Sequence, residues 1–272
     1  MNALVGKELS IITAKAQTTR HRILGILNGE DFQMVLSDTP GVIKPAYEMQ
    51  SSMMNFVKEA LVDADVLIYM VTAEESELKD EKLFERIKKS KAPLFILINK
   101  IDLSSQELVE KTVAHWQSVF PVAKVCPISA LTGFFIPELL NLLIELLPSS
   151  PPYFPKDQLT DKPERFFVSE IIREKILQQF KKEIPYSVEV EVEEFKEGKE
   201  INRIRAIIFV ARESQKGIII GHQGSSLKGI GVDARKDLET FFQKQIYLDL
   251  FVKVNKDWKL DEKKLKRFGY LS

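Results

Sequence analysis

Apolar and polar positions along this chain follow two rhythms, one on each side of a proline-rich stretch. Up to residue 147, short apolar runs alternate with segments of helical period. Residues 32–37 read as a strand, 53–62 as a helix and 66–71 as a nearly continuous apolar strand. A charged helix is predicted over 81–89, a buried strand over 94–98 and a helix over 106–120. A short strand at 125–128 and a helix over 136–147 complete this half. Strands without polar alternation, separated by helices, indicate a parallel sheet covered on both faces. Ligands of such sheets sit beyond the carboxyl ends of the strands, so functional residues are expected directly after them.

From residue 164 the rhythm differs. Val168, Ile171, Ile172, Ile176 and Phe180 recur at helical spacing. In 186–195, Val188, Val190 and Val192 alternate with Glu189, Glu191 and Glu193, the mark of a half-exposed strand. A second strand is predicted over 204–211, followed by a glycine-bearing loop. Then come a helix with Ile230, Ala234, Leu238 and Phe241 on one side and a last strand over 246–254. The predicted order, α-β-β-α-β, is that of an α+β domain. The charged tail 253–267, with Trp258 and Leu260 interleaved, suits either an RNA flank or a capping helix.

Between the halves, Pro148-Ser149-Ser150-Pro151-Pro152-Tyr153-Phe154-Pro155 holds four of the twelve prolines. Proline fixes φ and disfavours helix in its predecessor, so an extended linker is expected. The expected division is a first domain over 1–148, a linker over 149–163 and a second domain over 164–272.

Composition narrows the classes. The 272 residues suffice for two cores, and 44% hydrophobic with 29% charged residues is ordinary for a globular chain. No run approaches the roughly 18 consecutive apolar residues of a membrane span. The start lacks the pattern of a secretory signal. A single cysteine, Cys126, leaves no internal disulfide and no cysteine-rich zinc site, and His21, His115 and His222 lack ligand spacing. A cytoplasmic protein is expected. Residues 164–272 carry 22 Lys+Arg against 18 Asp+Glu, while 1–163 carry 17 against 21. The excess of four positive charges permits a nucleic-acid partner at the C-terminal end.

Several segments carry candidate chemistry. Asp38-Thr39-Pro40-Gly41 follows the strand 32–37. An aspartate there can hold a Mg²⁺-bound water while the Gly41 N–H approaches a γ-phosphate; an ordinary Pro-Gly turn accounts for the same residues. Asn99-Lys100-Ile101-Asp102 follows the strand 94–98. The Asp102 carboxylate can accept both hydrogen bonds from the N1–H and N2–H₂ edge of guanine, which adenine lacks, with the Lys100 stem against the base. Ser129-Ala130-Leu131 ends the next strand, where a backbone N–H can meet guanine O6. In Gln17-Thr18-Thr19-Arg20-His21 a threonine could ligate Mg²⁺ beside a triphosphate. Thr19 and Asp38 are the metal candidates, and a solvated loop is the plain alternative.

Gly221-His222-Gln223-Gly224 joins Gly217-Ile218-Ile219-Ile220 to a helix beginning near Ser225. In isolation this is a turn. Set among strands and helices of these types it is the arrangement of a KH domain, whose loop clamps the backbone of about four nucleotides. Glycines allow close approach, and a helix N-terminus favours phosphate. Lys216, Lys228 and Arg235 are candidate phosphate neighbours. Ile218, Ile219 and Ile220 suit either a floor for bases or core packing.

The order T…DxxG…NKxD…SA matches the translation-factor-like GTPases. Within them, Lys15-Ala16-Gln17-Thr18-Thr19-Arg20-His21-Arg22, Asp38-Thr39-Pro40-Gly41 and Ser169-Glu170-Ile171-Ile172-Arg173-Glu174-Lys175 resemble the Era family of bacterial ribosome-assembly GTPases. The resemblance spans nearly the whole chain. It implies an α/β GTPase domain of P-loop type followed by an α+β KH domain, with GTP or GDP and Mg²⁺ as cofactors. It also implies the 3′ end of small-subunit ribosomal RNA and the small ribosomal subunit as partners of a cytoplasmic monomer, with peripheral contact to the inner face of the cell membrane.

One departure concerns the phosphates. The family's G-x-x-x-x-G-K-[ST], whose backbone and lysine cradle them, is absent from the sequence. Met1-Asn2-Ala3-Leu4-Val5-Gly6 resembles the helix that follows that loop. The loop and its preceding strand are therefore expected to be missing, through a fragment or a misplaced start. Nucleotide affinity and hydrolysis should fall, and a strand edge should lie exposed. Val42 stands where glutamine-dependent GTPases position water, so no catalytic side chain is assigned. The leading expectation is a GTP-binding, ribosomal-RNA-binding factor of small-subunit assembly. The alternative is a nucleotide-independent KH RNA-binding protein with a degenerate GTPase domain.

Overall fold

The computed structural model describes residues 1–13, 15, 17–75 and 80–271; Ala16 of the 15–22 motif lies outside them. The chain folds as two compact units. Residues 1–9, 22–44 and 54–161 form the first, and 10–21, 45–53 and 162 onward form the second.

The first unit begins with α1 (Asn2–Val5) and a hairpin of β1 (Ile23–Asn28) and β2 (Gln33–Asp38). Then α2 (Glu48–Asp63), whose first turns group with the second unit, leads into β3 (Leu67–Thr72). The chain continues through α3 (Glu81–Lys89), β4 (Leu94–Asn99), α4 (Gln106–Val119), β5 (Lys124–Pro127) and α5 (Ile136–Ile144). Strands β3, β4 and β5 are parallel neighbours in that order, with Leu67 opposite Leu94 and Phe95 opposite Lys124. The expectation of a single parallel sheet needs correction, because β1 and β2 form a separate antiparallel pair with Ile23 opposite Asp38. The link between them is too short for a parallel crossover, which takes a dozen or more residues, and Gly29 N–H closes on Phe32 O at 2.9 Å. Hairpin and sheet share one core: Met34, Phe95, Leu97, Cys126, Ile128, Leu139 and Leu143 form a single buried cluster. β3 is an edge strand of its sheet, with Ile68 and Met70 exposed.

Local chemistry sets the helix starts. The Asp80 carboxylate accepts from the N–H groups of Lys82 and Leu83, and Ser105 Oγ accepts from Leu108 N–H. One helical turn apart on α4, Thr112 and Trp116 face inward. Thr112 Oγ1 donates to Ala73 O at 2.8 Å and Trp116 Nε1 to Glu75 O at 3.2 Å. The proline-rich segment lies outside any helix or strand and is tied down along the hairpin. Phe154 and Gln33 exchange hydrogen bonds of 2.8 and 2.9 Å, Ile26 N–H donates to Leu159 O, and Leu24 N–H to the Asp161 carboxylate.

In the second unit α6 (Glu164–Gln179) precedes β6 (Val188–Lys196) and β7 (Ile201–Val210). α7 (Glu213–Ile220), α8 (Ser225–Phe242), β8 (Gln245–Val254) and α9 (Glu262–Arg267) follow. The sheet order is β6-β7-β8, with β6 antiparallel and β8 parallel to β7. The order is thus α-β-β-α-α-β up to β8, correcting the single helix expected there. Gly217-Ile218-Ile219-Ile220 is the end of α7, not a lead-in to a turn. A parallel return from β7 to β8 needs a long crossover, and α7 and α8 supply it. The Gln215 side chain starts α7 by accepting from the N–H groups of Ala211 and Arg212 at 3.0 and 3.1 Å. Val168, Ile172, Ile176, Ile204, Ile208, Ile219, Ile230, Ala234 and Leu238 make the core. Trp258 is fully buried in the tail, with Nε1 donating to Ser187 O, so much of 253–267 serves as packing.

Candidate nucleotide and RNA sites

Parallel pairing of β4 with β5 brings their carboxyl ends to one side of the first unit, and the expected base-recognition segments meet there. Asp102 Oδ1 accepts from Ser129 Oγ at 2.5 Å, and Asn99 Oδ1 accepts from Ala130 N–H at 3.0 Å and Lys100 N–H at 2.8 Å. Thr132 N–H donates to Ser129 Oγ at 3.2 Å, and Ile101 N–H to Ile128 O. Lys100 takes a left-handed backbone, φ 63°, a strained choice for a lysine. Asp102 and Lys100 remain exposed, while Ser129 beneath them is buried. The corner therefore presents an oriented carboxylate over a lattice of hydrogen bonds joining two strand ends. Leu103 and Leu131 stand exposed in the same segments.

Asp38 closes β2 opposite Ile23, and Thr39, Pro40, Gly41 and Val42 run on outside any helix or strand. No heavy atom lies within 4 Å of a Cβ built on Gly41, so backbone approach there is open. Among the described residues no group of three or more His, Cys, Asp or Glu is placed to hold a metal. The two metal candidates fall in different units, Asp38 in the first and Thr19 in the second.

Residues 10–21 group with the second unit, and 17–21 are anchored rather than a solvated loop. Lys15 Nζ donates to the carbonyls of Leu177 and Phe180, and Arg173 Nη2 to Thr18 O at 2.5 Å. Arg20, 3% exposed, donates to Val188 O at 2.7 Å, Pro185 O at 3.1 Å and Glu189 Oε2 at 3.2 Å. Tyr270 O–H donates to the same Glu189 oxygen at 2.7 Å, and Glu170 pairs with Arg173 through bonds of 2.6 and 2.7 Å. His21 lies against Tyr270 and Phe166, with centroids 4.4 and 5.7 Å away, and burial pushes its imidazole down to about 4. Burial raises the Glu189 carboxyl, with Arg20 opposing. Burial also brings the Lys259 ammonium, over the Tyr47 ring, down to about 8.

The glycine loop lies between α7 and α8. Gly221 adopts φ 73°, ψ 177°, open in practice only to glycine, and a Cβ there would come 2.7–2.9 Å from the side chain and backbone of Ser226. Gly224 is left-handed at φ 78°, ψ 9°, with nothing within 4 Å of a built Cβ. His222 and Gln223 between them are exposed, and α8 begins at Ser225, whose N–H donates to His222 O. Beside the loop runs a cleft of about 400 Å³ lined by Gly224, Leu227, Lys228, Gly231, Val232, Arg235, Leu248 and Leu250.

The cleft gathers Lys228 and Arg235 but not Lys216, which sits on α7. Ile218 is 49% exposed and Ile219 fully buried, while Ile220 packs on the core; the apolar floor comes from Leu248 and Leu250 instead. Leu227, Gly231, Val232, Leu248 and Leu250 escaped the motif-based reading. Their signals were the spacing of Leu227, Gly231 and Arg235 along one face of α8 and the alternation of β8.

Comparison with known proteins accords with this geometry. Residues 1–100 match the family described as 50S ribosome-binding GTPase, and residues 183–259 match the KH domain family. GTPase Era of Syntrophus aciditrophicus is 45% identical over 273 residues, covering 99% of this chain and 89% of that protein. GTPase Era of Clostridium kluyveri is 39% identical over 272 residues, covering 99% of this chain and 93% of that protein. A crystal structure of Era in complex with MgGDPNP and nucleotides 1506–1542 of 16S ribosomal RNA superposes with a TM-score of 0.94 at 37% identity. It covers all of this chain and 93% of the other.

Proposed function

The chain belongs to the Era family of GTPases, and from that premise we propose that it acts in small-subunit assembly by clamping single-stranded RNA at the 3′ end of the small-subunit ribosomal RNA. The observation that carries this reading is the junction of the glycine loop with the cleft. Gly221 and Gly224 bring bare backbone to the mouth, α8 points its N-terminus there, and Lys228 and Arg235 flank an apolar floor. The related Era crystallised with nucleotides 1506–1542 of 16S ribosomal RNA supports the choice of target.

GTP or GDP fits one end of the first unit. The Asp102 carboxylate, fixed by Ser129, suits the donor edge of guanine, and the Ala130 N–H is held close by through Asn99. The phosphate end does not fit in the same way, because G-x-x-x-x-G-K-[ST] is not among these 272 residues. We therefore assign base recognition but no hydrolytic step to them. Related Era structures with MgGDPNP and with GDP and AlF₄⁻ support a nucleotide-dependent family activity. A cytoplasmic monomer with peripheral membrane contact belongs to the same proposal; light scattering and low-salt liposome sedimentation check those two points.

Fluorescence anisotropy with a labelled oligonucleotide copying the small-subunit 3′ end tests the clamp. Binding should weaken with salt, as phosphate contacts require, and His222→Asp with Gln223→Asp, both at exposed loop positions, should abolish it with the circular dichroism spectrum unchanged. No binding by the unaltered chain at low salt would overturn the reading.

A further inference from the structure

Residues of β7 and β8 alternate between the two faces of the second unit's sheet. Ile204, Ala206 and Ile208, with Leu248, Leu250 and Val252, face the helices. Arg203 and Arg205, with Tyr247, Asp249 and Phe251, take the alternate positions and face away. Part of this outer face is covered by the C-terminal segment. Phe268 packs on Phe209 with centroids 5.5 Å apart, and Arg267 bonds Glu191 at 2.7 Å. The remainder is open. Tyr247 is 53% exposed and Phe251 43%.

These aromatics are paired with cations. Arg203 stands opposite Tyr247 in the β7–β8 register, its guanidinium 5.5 Å from the ring centroid. The Arg205 guanidinium lies 5.7 Å from the Phe251 centroid and 3.5 Å from Asp249. Arg203 has no carboxylate partner among the described residues. Lys196, opposite Arg203 on β6, adds a third cation and is paired with Glu194.

We propose that this arginine–aromatic face is a second RNA contact, a platform on which unpaired bases stack after the strand leaves the cleft. Sequence-tolerant binding of single strands needs open π faces with cations beside them for the phosphates. Guanidinium over an exposed ring supplies both at one place. Aromatic and arginine side chains also serve protein partners. The position of β8 favours RNA. It is an edge strand whose inward Leu248 and Leu250 line the cleft while Tyr247 and Phe251 alternate with them on the other side. An RNA strand rounding that edge meets both surfaces. The inference rests on the clamp reading, and the test separates the two.

The full chain is titrated with a tetranucleotide, enough for the loop, and with a 12-nucleotide RNA containing it. The unaltered chain should bind the longer RNA more tightly. Tyr247→Ala with Phe251→Ala should weaken the 12-mer about tenfold or more, given the worth of base–aromatic stacking, and leave the tetranucleotide unchanged. His222→Asp with Gln223→Asp should weaken both. Tyr247→Trp, a mild change at an exposed position, should be quenched by the 12-mer and not by the tetranucleotide. Equal 12-mer affinity with and without the aromatics, or equal loss on both RNAs, overturns the platform while leaving the clamp. Failure of the unaltered chain to bind either RNA overturns both. If the face instead joins two copies of this chain, the unaltered protein sediments as a dimer, the double variant as a monomer, and their RNA affinities agree; that outcome also refutes the platform.

Discussion

At the guanine corner of the first unit, Asp102 and Asn99 are held by hydrogen bonds to Ser129 and Ala130 on loops that leave the ends of β4 and β5. The glycine loop of the second unit is held by backbone conformation instead, and its cleft by the facing surfaces of α8 and β8. The first arrangement depends on side-chain identity at a few positions. The second depends on the absence of side chains at Gly221 and on packing below. Elsewhere in the same unit Arg20, Arg173, Glu170 and Glu189 form a buried hydrogen-bonded set, so residues from the N-terminal half help to build the unit that carries the loop. A change in the support should therefore act on the second unit, and a change at the corner on nucleotide alone.

The largest expected effect is from Arg20→Ala. It removes the charge partner of Glu189, which keeps the Tyr270 O–H, and the donors to Val188 O and Pro185 O; breaking a buried pair costs about 3–5 kcal/mol. The two tryptophans separate the units: Trp116 lies in the first and Trp258 in the second. Urea unfolding followed in Trp116→Phe and Trp258→Phe backgrounds should show a lower midpoint for the Trp258 signal and an unmoved Trp116 signal. Equal shifts in both would break the comparison.

Next is Gly221→Ala. Strain at φ 73°, ψ 177° costs about 1–3 kcal/mol, which is up to roughly a hundredfold in RNA affinity if it falls on the bound conformation. Gly224→Ala meets open space at a left-handed φ, costing about 1–2 kcal/mol, and should weaken binding less. The reverse order in a binding titration would refute the close-contact account of Gly221.

Ser129→Ala removes the donor to Asp102. The loss of one hydrogen bond, about 1 kcal/mol, should reduce guanine-nucleotide affinity severalfold and leave RNA affinity unchanged. The smallest effect near neutral pH is protonic. His21 is held at about 4 against an ordinary value of 6.5, so the unfolded chain takes its proton first as pH falls. Stability is full above about 6.5 and is lost from there down to about 4. Glu170 acts in the same sense: burial raises its carboxyl, but the charge and hydrogen bonds of Arg173, with His21 and Arg20, together bring it below the ordinary value; Glu189, raised by burial, opposes both. His21→Phe should flatten the Trp258 unfolding midpoint between pH 6.5 and 4.

Where identity and spacing carry the information, the sequence was legible. The apolar runs of β3 and β4 were clear, α3 fell at 81–89 as expected, and the segments at 99–102 and 129–130 do meet. β1 escaped because Gly25 and Asn28 interrupt its apolar pattern, and its pairing depends on β2 and on residues 159–160 far along the chain. α7 escaped because Gly217 and three isoleucines favour strand or turn locally, while the Gln215 cap and the buried Ile219 decide for helix. The cleft floor at Leu248 and Leu250 was hidden for a similar reason, since strand alternation marks a face without saying what opens against it. The anchoring of 17–21 through Arg20 joins residues some 165 positions apart, which no local pattern reveals.

The most direct test of the account titrates one preparation of the 272-residue chain in parallel with a small-subunit 3′-end oligonucleotide and with a fluorescent GDP analogue. The account predicts salt-dependent RNA binding that added GDP does not alter, and nucleotide binding too weak to saturate at micromolar concentration. Tight GDP binding, or no RNA binding at low salt, would contradict it.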